Sequence, residues 1–192
     1  MTDEKRKGHG AHPIKDGIVN AIRSSGNVYT AAVDTVSLAV RNALAAARRA
    51  GSSAVGAVTY VALGAIRGAL EFGNDLGEAC KGIMVGVLLG TRERGDAAFR
   101  TISHTARTVI HHTAITGSDV ATATQGLVIG AMQCAKDSQE NMTAAASAAA
   151  QGALEGADEV GFAAAEQVRM ALKVPFQGIR IPLLPPYQQQ ER

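Results

Sequence analysis

The chain has 192 residues, 46% apolar and 19% charged, with a formal net charge of +2. That is enough for one domain with a sizeable core, and so even a balance gives no electrostatic footprint for nucleic acid. No Trp, three Tyr and four Phe leave too few rings for a base-stacking surface. Two cysteines are no disulfide framework and suit a reducing, cytoplasmic setting.

Residues 1–13, MTDEKRKGHGAHP, read as a polar, basic N-terminal tail without the apolar segment of a signal peptide. His9 and His12 sit there with no further ligand type beside them. A helical region is expected over 14–174. Proline occurs at 13 and not again until 175, and alanine, the best helix former, dominates the interval.

Within that region glycine stands at 51, 73, 95, 117 and 161, all separated by 22 or a multiple of it, with Gln139 in the vacant place. Counting blocks of 22 from these positions aligns the chemistry in columns. The sixteenth place holds Leu44, Ile66, Leu88, Ile110, Met132 and Leu154, all large and apolar. The twelfth and fourth places are apolar throughout, and Ile18 and Ile22 extend the phase toward the N-terminus. Twenty-two residues are two elevens, and eleven residues make three turns at about 3.67 residues per turn. The apolar columns therefore share one face, and charges such as Arg67, Glu93, Arg100 and Glu155 lie mostly opposite. The expected fold is all-α, built of tandem 22-residue amphipathic helical repeats. The constant phase favours long helices running through the joins. Caps at GND and GSD would instead end helices of about 18 residues and give a bundle.

The stretch KGIMVGVLLGTRERG, residues 81–95, has only ten uncharged residues between Lys81 and Arg92. A bilayer span needs about 20, so a buried helix segment is expected. Its glycines belong to columns. The fourteenth place holds Gly64, Gly86, Gly130 and Gly152, and the eighteenth holds Gly68, Gly90 and Gly156. Each costs about 1 kcal/mol relative to alanine in a helix, so close approach of another helix is the expected use.

His104, His111 and His112 cluster along one stretch, with Arg100 and Arg107 nearby and no Cys or carboxylate at ligand spacing. Interhelical or solvated histidines are the expectation, and no cofactor or metal is expected. Cys80 falls on the apolar stripe and Cys134 among the small residues, each as a buried small side chain. No phosphate loop, nucleophile elbow or metalloprotease motif is present, so the chain reads as non-catalytic.

The segment 175–192 is a Pro-rich apolar tail. Pro175, Pro182, Pro185 and Pro186 forbid helix, while Phe176, Ile179, Ile181, Leu183, Leu184 and Tyr187 are too apolar for an inert linker. It is expected to dock, on its own bundle or in a partner groove.

Over residues 29–172 the proline-poor 22-residue periodicity, with an apolar stripe of modest side chains, resembles lipid-surface repeat proteins of the apolipoprotein, perilipin and synuclein kind. Glycine stands where apolipoprotein blocks commonly carry proline. The resemblance implies a coat on a membrane leaflet, lipid droplet or polymer granule, with the sixteenth-place column inserted. The glycine columns point instead to a self-assembling helical scaffold, stalk or tube in which that column is a protein seam. Either reading expects a homo-oligomer in the cytoplasm, peripheral to a surface in the first case, with the tail available to a protein partner.

Overall fold

The computed structural model describes residues 28–51, 54–72 and 76–181, without the side chains of 28–32, 54–55, 57–58 and 68–72. The N-terminal tail, Ile18 and Ile22, the surroundings of Gly68, and Leu183, Leu184 and Tyr187 lie outside this description. The described chain is all-helical: α1 Val28–Arg49, α2 Ala54–Phe72, α3 Leu76–Thr91, α4 Asp96–Ile115, α5 Val120–Asp137, α6 Met142–Asp158 and α7 Phe162–Leu172.

None of the fully described joins continues as helix, against the expectation of long helices running through them, and the described periodic glycines are where the chain turns; Gly73 and the GND cap lie outside the described residues. Gly51, Gly95, Gly117 and Gly161 all have positive φ, between 58° and 150°. Gln139 takes the same left-handed conformation, at φ 60°, so the position keeps its geometry where it has lost its glycine. The α4–α5 and α5–α6 turns share one mechanism. At the first, Ser118 N–H reaches back to Thr113 O (3.0 Å) and Gly117 N–H to Ala114 O (3.1 Å). At the second, Glu140 N–H bonds Ala135 O (2.8 Å) and Gln139 N–H bonds Lys136 O (3.2 Å). These are Schellman closures that satisfy the last carbonyls of a helix. The next helix is then capped. Asp119 accepts from Thr122 N–H at 3.0 Å and Asn141 accepts from Ala144 N–H at 3.0 Å.

Helices two apart in sequence pack side by side. The broadest contacts are α4 with α6, α1 with α3, and α3 with α5. These pairs run parallel, because the glycines ascending one helix meet residues ascending the other: Gly82 meets Val33, and Gly86 meets Ser37. With only a short turn on either side, each intervening helix runs the opposite way. The outcome is two layers, α1–α3–α5–α7 and α2–α4–α6, with consecutive helices crossing between them.

The core fills the space between the layers. Leu44, Ile66, Ile83, Met84, Ile110, Leu127 and Met132 are its largest fully buried side chains. Helix α6 is thinner: Ala145, Ala146, Ala149, Ala150 and Ala153 are each at most 1% exposed, which lets it nest between α4, α5 and α7. Among the described residues no helix is long and apolar enough to cross a membrane.

Candidate functional site

The structure places the sixteenth-place column inside the molecule. Leu44, Ile66, Ile110 and Met132 are at most 1% exposed and Leu88 is 9% exposed. Leu154 is partly buried and packs against the same core. These residues face the protein's own interior.

The glycines meet backbone. A methyl at Gly86 would lie 2.7 Å from Ser37 O, and one at Gly130 would lie 2.9 Å from Lys81 O. At Gly152 it would press on Ser103 O and at Gly156 on Arg107 O, closer still. In each case the glycine follows the carbonyl it meets by 49 residues. Gly90 behaves differently, since its nearest neighbour is the Leu44 side chain at 2.7 Å. Gly64 is partly buried in α2. Two further glycines carry the same contact: Gly82 against Val33 O at 2.8 Å, and Gly126 against Gly77 O. Both occupy the tenth place of their blocks, and that shared position was the signal.

Helix α4 departs from this rule. Its tenth, fourteenth and eighteenth places are His104, Thr108 and His112, where α3 has Gly82, Gly86 and Gly90. Among the described residues α2 and α4 make the sparsest contact of any pair two apart. A groove of about 360 Å³ opens beside α4, reaching to α1 and α3. Leu44 and Val87, each 1% exposed, and Thr105, 2% exposed, lie deep in it. Thr91, Thr101 and Thr108 form partly buried walls, and Arg100, His104 and Glu93 are exposed at the rim. Thr101 Oγ1 donates to the Glu93 carboxylate, and Arg48 donates to Thr91 O at 3.4 Å.

The other two histidines leave this groove. His111 and His112 stack edge-on, ring centroids 5.5 Å apart. His111 Nδ1 is buried, 3.1 Å from Glu159 Oε2 without forming a hydrogen bond, and Arg107 pairs with the same carboxylate. Burial, followed by the neighbouring His111, pulls the His112 pKa below its ordinary value. At Asp119 the Thr122 hydroxyl, donating at 2.6 Å, and the Thr122 N–H hold the carboxyl below its usual range. Among the described residues no His, Cys, Asp and Glu converge as a metal site.

Cys80 and Cys134 are buried and form no disulfide. Burial, helped by Asp137, pushes the Cys134 thiol up to about 11. Cys134 also lines an apolar slot of about 100 Å³ with Leu88, Phe99 and Ile102, where the ends of α3 and α5 meet the starts of α4 and α6. Beyond α7, Phe176 and Ile179 exchange backbone hydrogen bonds of 2.9 and 2.8 Å. This tight loop sets Phe176 (6% exposed) and Ile181 (8% exposed) into the core. The first part of the tail therefore lies on the chain's own body.

Compared with known protein families, curated proteins and solved structures, the chain matches none.

Proposed function

We propose that the chain is a non-catalytic helical scaffold, built of 22-residue units that fold back and stack. One observation carries this reading: the sixteenth-place column is buried against the protein's own helices. A coat that inserted that column into lipid would have to open the stack and expose side chains such as Leu44, Ile66 and Ile110. At about 25 cal/mol per Å² of apolar surface, uncovering that many core residues costs more than a marginally stable domain holds, unless lipid replaces every contact. The glycines support the same reading, because Gly82, Gly86, Gly126, Gly130, Gly152 and Gly156 are each already occupied by a backbone carbonyl within the chain.

A scaffold presents surface to partners. Phe162, Met170 and Val174, 79%, 58% and 57% exposed at the C-terminal end of the stack, are the apolar positions from which a protein partner or second copy would be held. A cytoplasmic setting fits the two reduced cysteines.

Circular dichroism and sedimentation, with and without lipid vesicles, test the reading. A scaffold is fully helical without lipid and unchanged by vesicles. A large gain of helix on adding vesicles would replace the scaffold with the coat.

A further inference from the structure

We propose that the groove beside α4 is a binding site for a small amphipathic anion, with a carboxylate or phosphate head and a short aliphatic body. It rests on the folded-back stack of the scaffold reading, since Leu44 and Val87 form the groove's floor, while failure to bind a ligand would leave the scaffold itself standing.

The first support is the way the groove arises. Helices α3, α5 and α6 each bring a glycine to a carbonyl 49 residues earlier, and those interfaces close. In α4 the equivalent places are His104 and Thr108, both of which line the groove. The groove thus runs along the part of α4 that carries chemically capable side chains at the places where its neighbours carry glycine. A defect of packing alone would need only any larger residue. Its volume of about 360 Å³ lies at the lower end of the range of small-molecule sites, roughly 300–1,000 Å³.

The chemistry of the lining selects the ligand. Leu44 and Val87 form an apolar floor that favours a hydrocarbon body. Arg100, His104 and Thr108 follow one another at intervals of four residues along α4, one turn apart on one face, with Thr105 deeper in the groove. The guanidinium of Arg100 is exposed at the mouth and forms no ion pair among the described residues. Arg48, outside the lining, donates to the carbonyl of Thr91, one of the groove's walls, and adds positive charge nearby. Against these stands one carboxylate, Glu93, which the Thr101 hydroxyl already engages. A guanidinium in line with an imidazole and a hydroxyl on one helix face is an arrangement that takes carboxylate or phosphate. A purely apolar guest would leave these donors unused, and a cation would meet Arg100 and Arg48. The small volume suits one short chain.

The test is isothermal titration calorimetry of the full chain with octanoate and octyl phosphate, below their aggregation concentrations. 1-Octanol and inorganic phosphate, each lacking one half of the ligand, are the comparisons. One site per chain is expected for the two amphipathic anions, with octanol and phosphate at least tenfold weaker. Arg100→Gln, an exposed change that spares the fold, should weaken octanoate about tenfold through loss of a charge-assisted hydrogen bond. Thr108→Leu should fill the groove and abolish binding while helix content is retained. Repeating the octanoate titration with anionic lipid vesicles present identifies the source of the anion: competition points to a lipid head group, and its absence to a free organic acid. Octanol binding as tightly as octanoate would overturn the proposal. So would unchanged affinity in Arg100→Gln, or no binding of either amphipathic anion.

Discussion

Replacing Gly86 with alanine adds one methyl where the structure has no room for it. The new Cβ would lie 2.7 Å from Ser37 O, 2.8 Å from Val40 Cβ and 2.9 Å from Ser37 Cα. Two of these are backbone atoms, and no rotamer change moves them. An ordinary carbon–oxygen approach is about 3.3 Å or more, so α3 must retreat from α1 by roughly 0.6 Å. A gap of about 0.5–1 Å already forfeits a quarter to a half of each dispersion contact, and here Val36, Val40 and Leu44 lie along the seam against Gly82, Gly86 and Gly90. Overpacking of this kind costs about 1–3 kcal/mol. Helix propensity returns about 1 kcal/mol for Gly→Ala. The expected net loss is up to about 2 kcal/mol, read as a fall in Tm of up to roughly 8 °C for a chain of this size. Adding Gly82→Ala should cost less than the same change alone, because the first methyl has already parted the helices. Gly56 supplies the control. It is helical, and a methyl there would meet nothing within 4 Å, so Gly56→Ala should hold or raise Tm. Thermal melting followed by circular dichroism decides. If Gly86→Ala rose in step with Gly56→Ala, the glycine would have no packing role and the backbone-contact argument would be wrong.

Ile110→Asp puts a charge at a site with no exposure and should unfold the chain at 37 °C, whereas Glu93→Ala, on the exposed rim, should shift Tm by no more than a few degrees; equal losses would mean that the buried face is misassigned. Phe176→Ala should cost about 3 kcal/mol with little change in helix content, since the residue lies beyond α7; urea unfolding measures it, and no change would mean that the tail segment is not docked. Because the folded chain lowers the His112 pKa, the unfolded chain binds that proton more readily, and stability falls as pH drops through the ordinary histidine value of about 6.5. His112→Asn should flatten this loss between pH 7.5 and 5 in urea melts, and a variant tracking the unchanged protein would remove His112 as its source. Asp119, whose carboxyl is also held low, acts in the same direction at lower pH.

The 22-residue rhythm of glycine is visible without coordinates, but the turns it marks were not: the constant apolar phase favoured helices running through the joins, and the left-handed backbone at Gly95, Gly117 and Gly161 ends them instead. Gln139 was legible only as a missing member; that it still turns the chain is set by the Schellman hydrogen bonds of its neighbours. The seam was legible too, since periodicity reports which face of a helix is apolar. Periodicity is silent on what that face meets. Lipid and protein impose the same stripe, and the choice came from the chain folding back at its joins. It also conceals the partner. Gly82 and Gly126 looked like ordinary members of glycine-rich helices, because the carbonyl each meets belongs to a helix two turns of the fold earlier. His104, grouped by spacing with His111 and His112, belongs instead to the groove. The hint lay in the columns, where α4 alone of α3 to α6 has no glycine at the three packing places.

The constant interval of 49 residues between glycine and carbonyl also sets a clock. A ribosome adding roughly 5–20 residues per second delivers Gly86 about 2–10 s after Ser37. Throughout that wait α1 has only α2 against it. The same interval separates Lys81 from Gly130 and Ser103 from Gly152, so at every stage of synthesis two helices are still short of their lateral neighbours. A chain interrupted anywhere within the stack would therefore display two uncovered helix faces, one from each layer, and quality-control factors that bind exposed apolar helices would meet the same paired surface wherever synthesis had stopped.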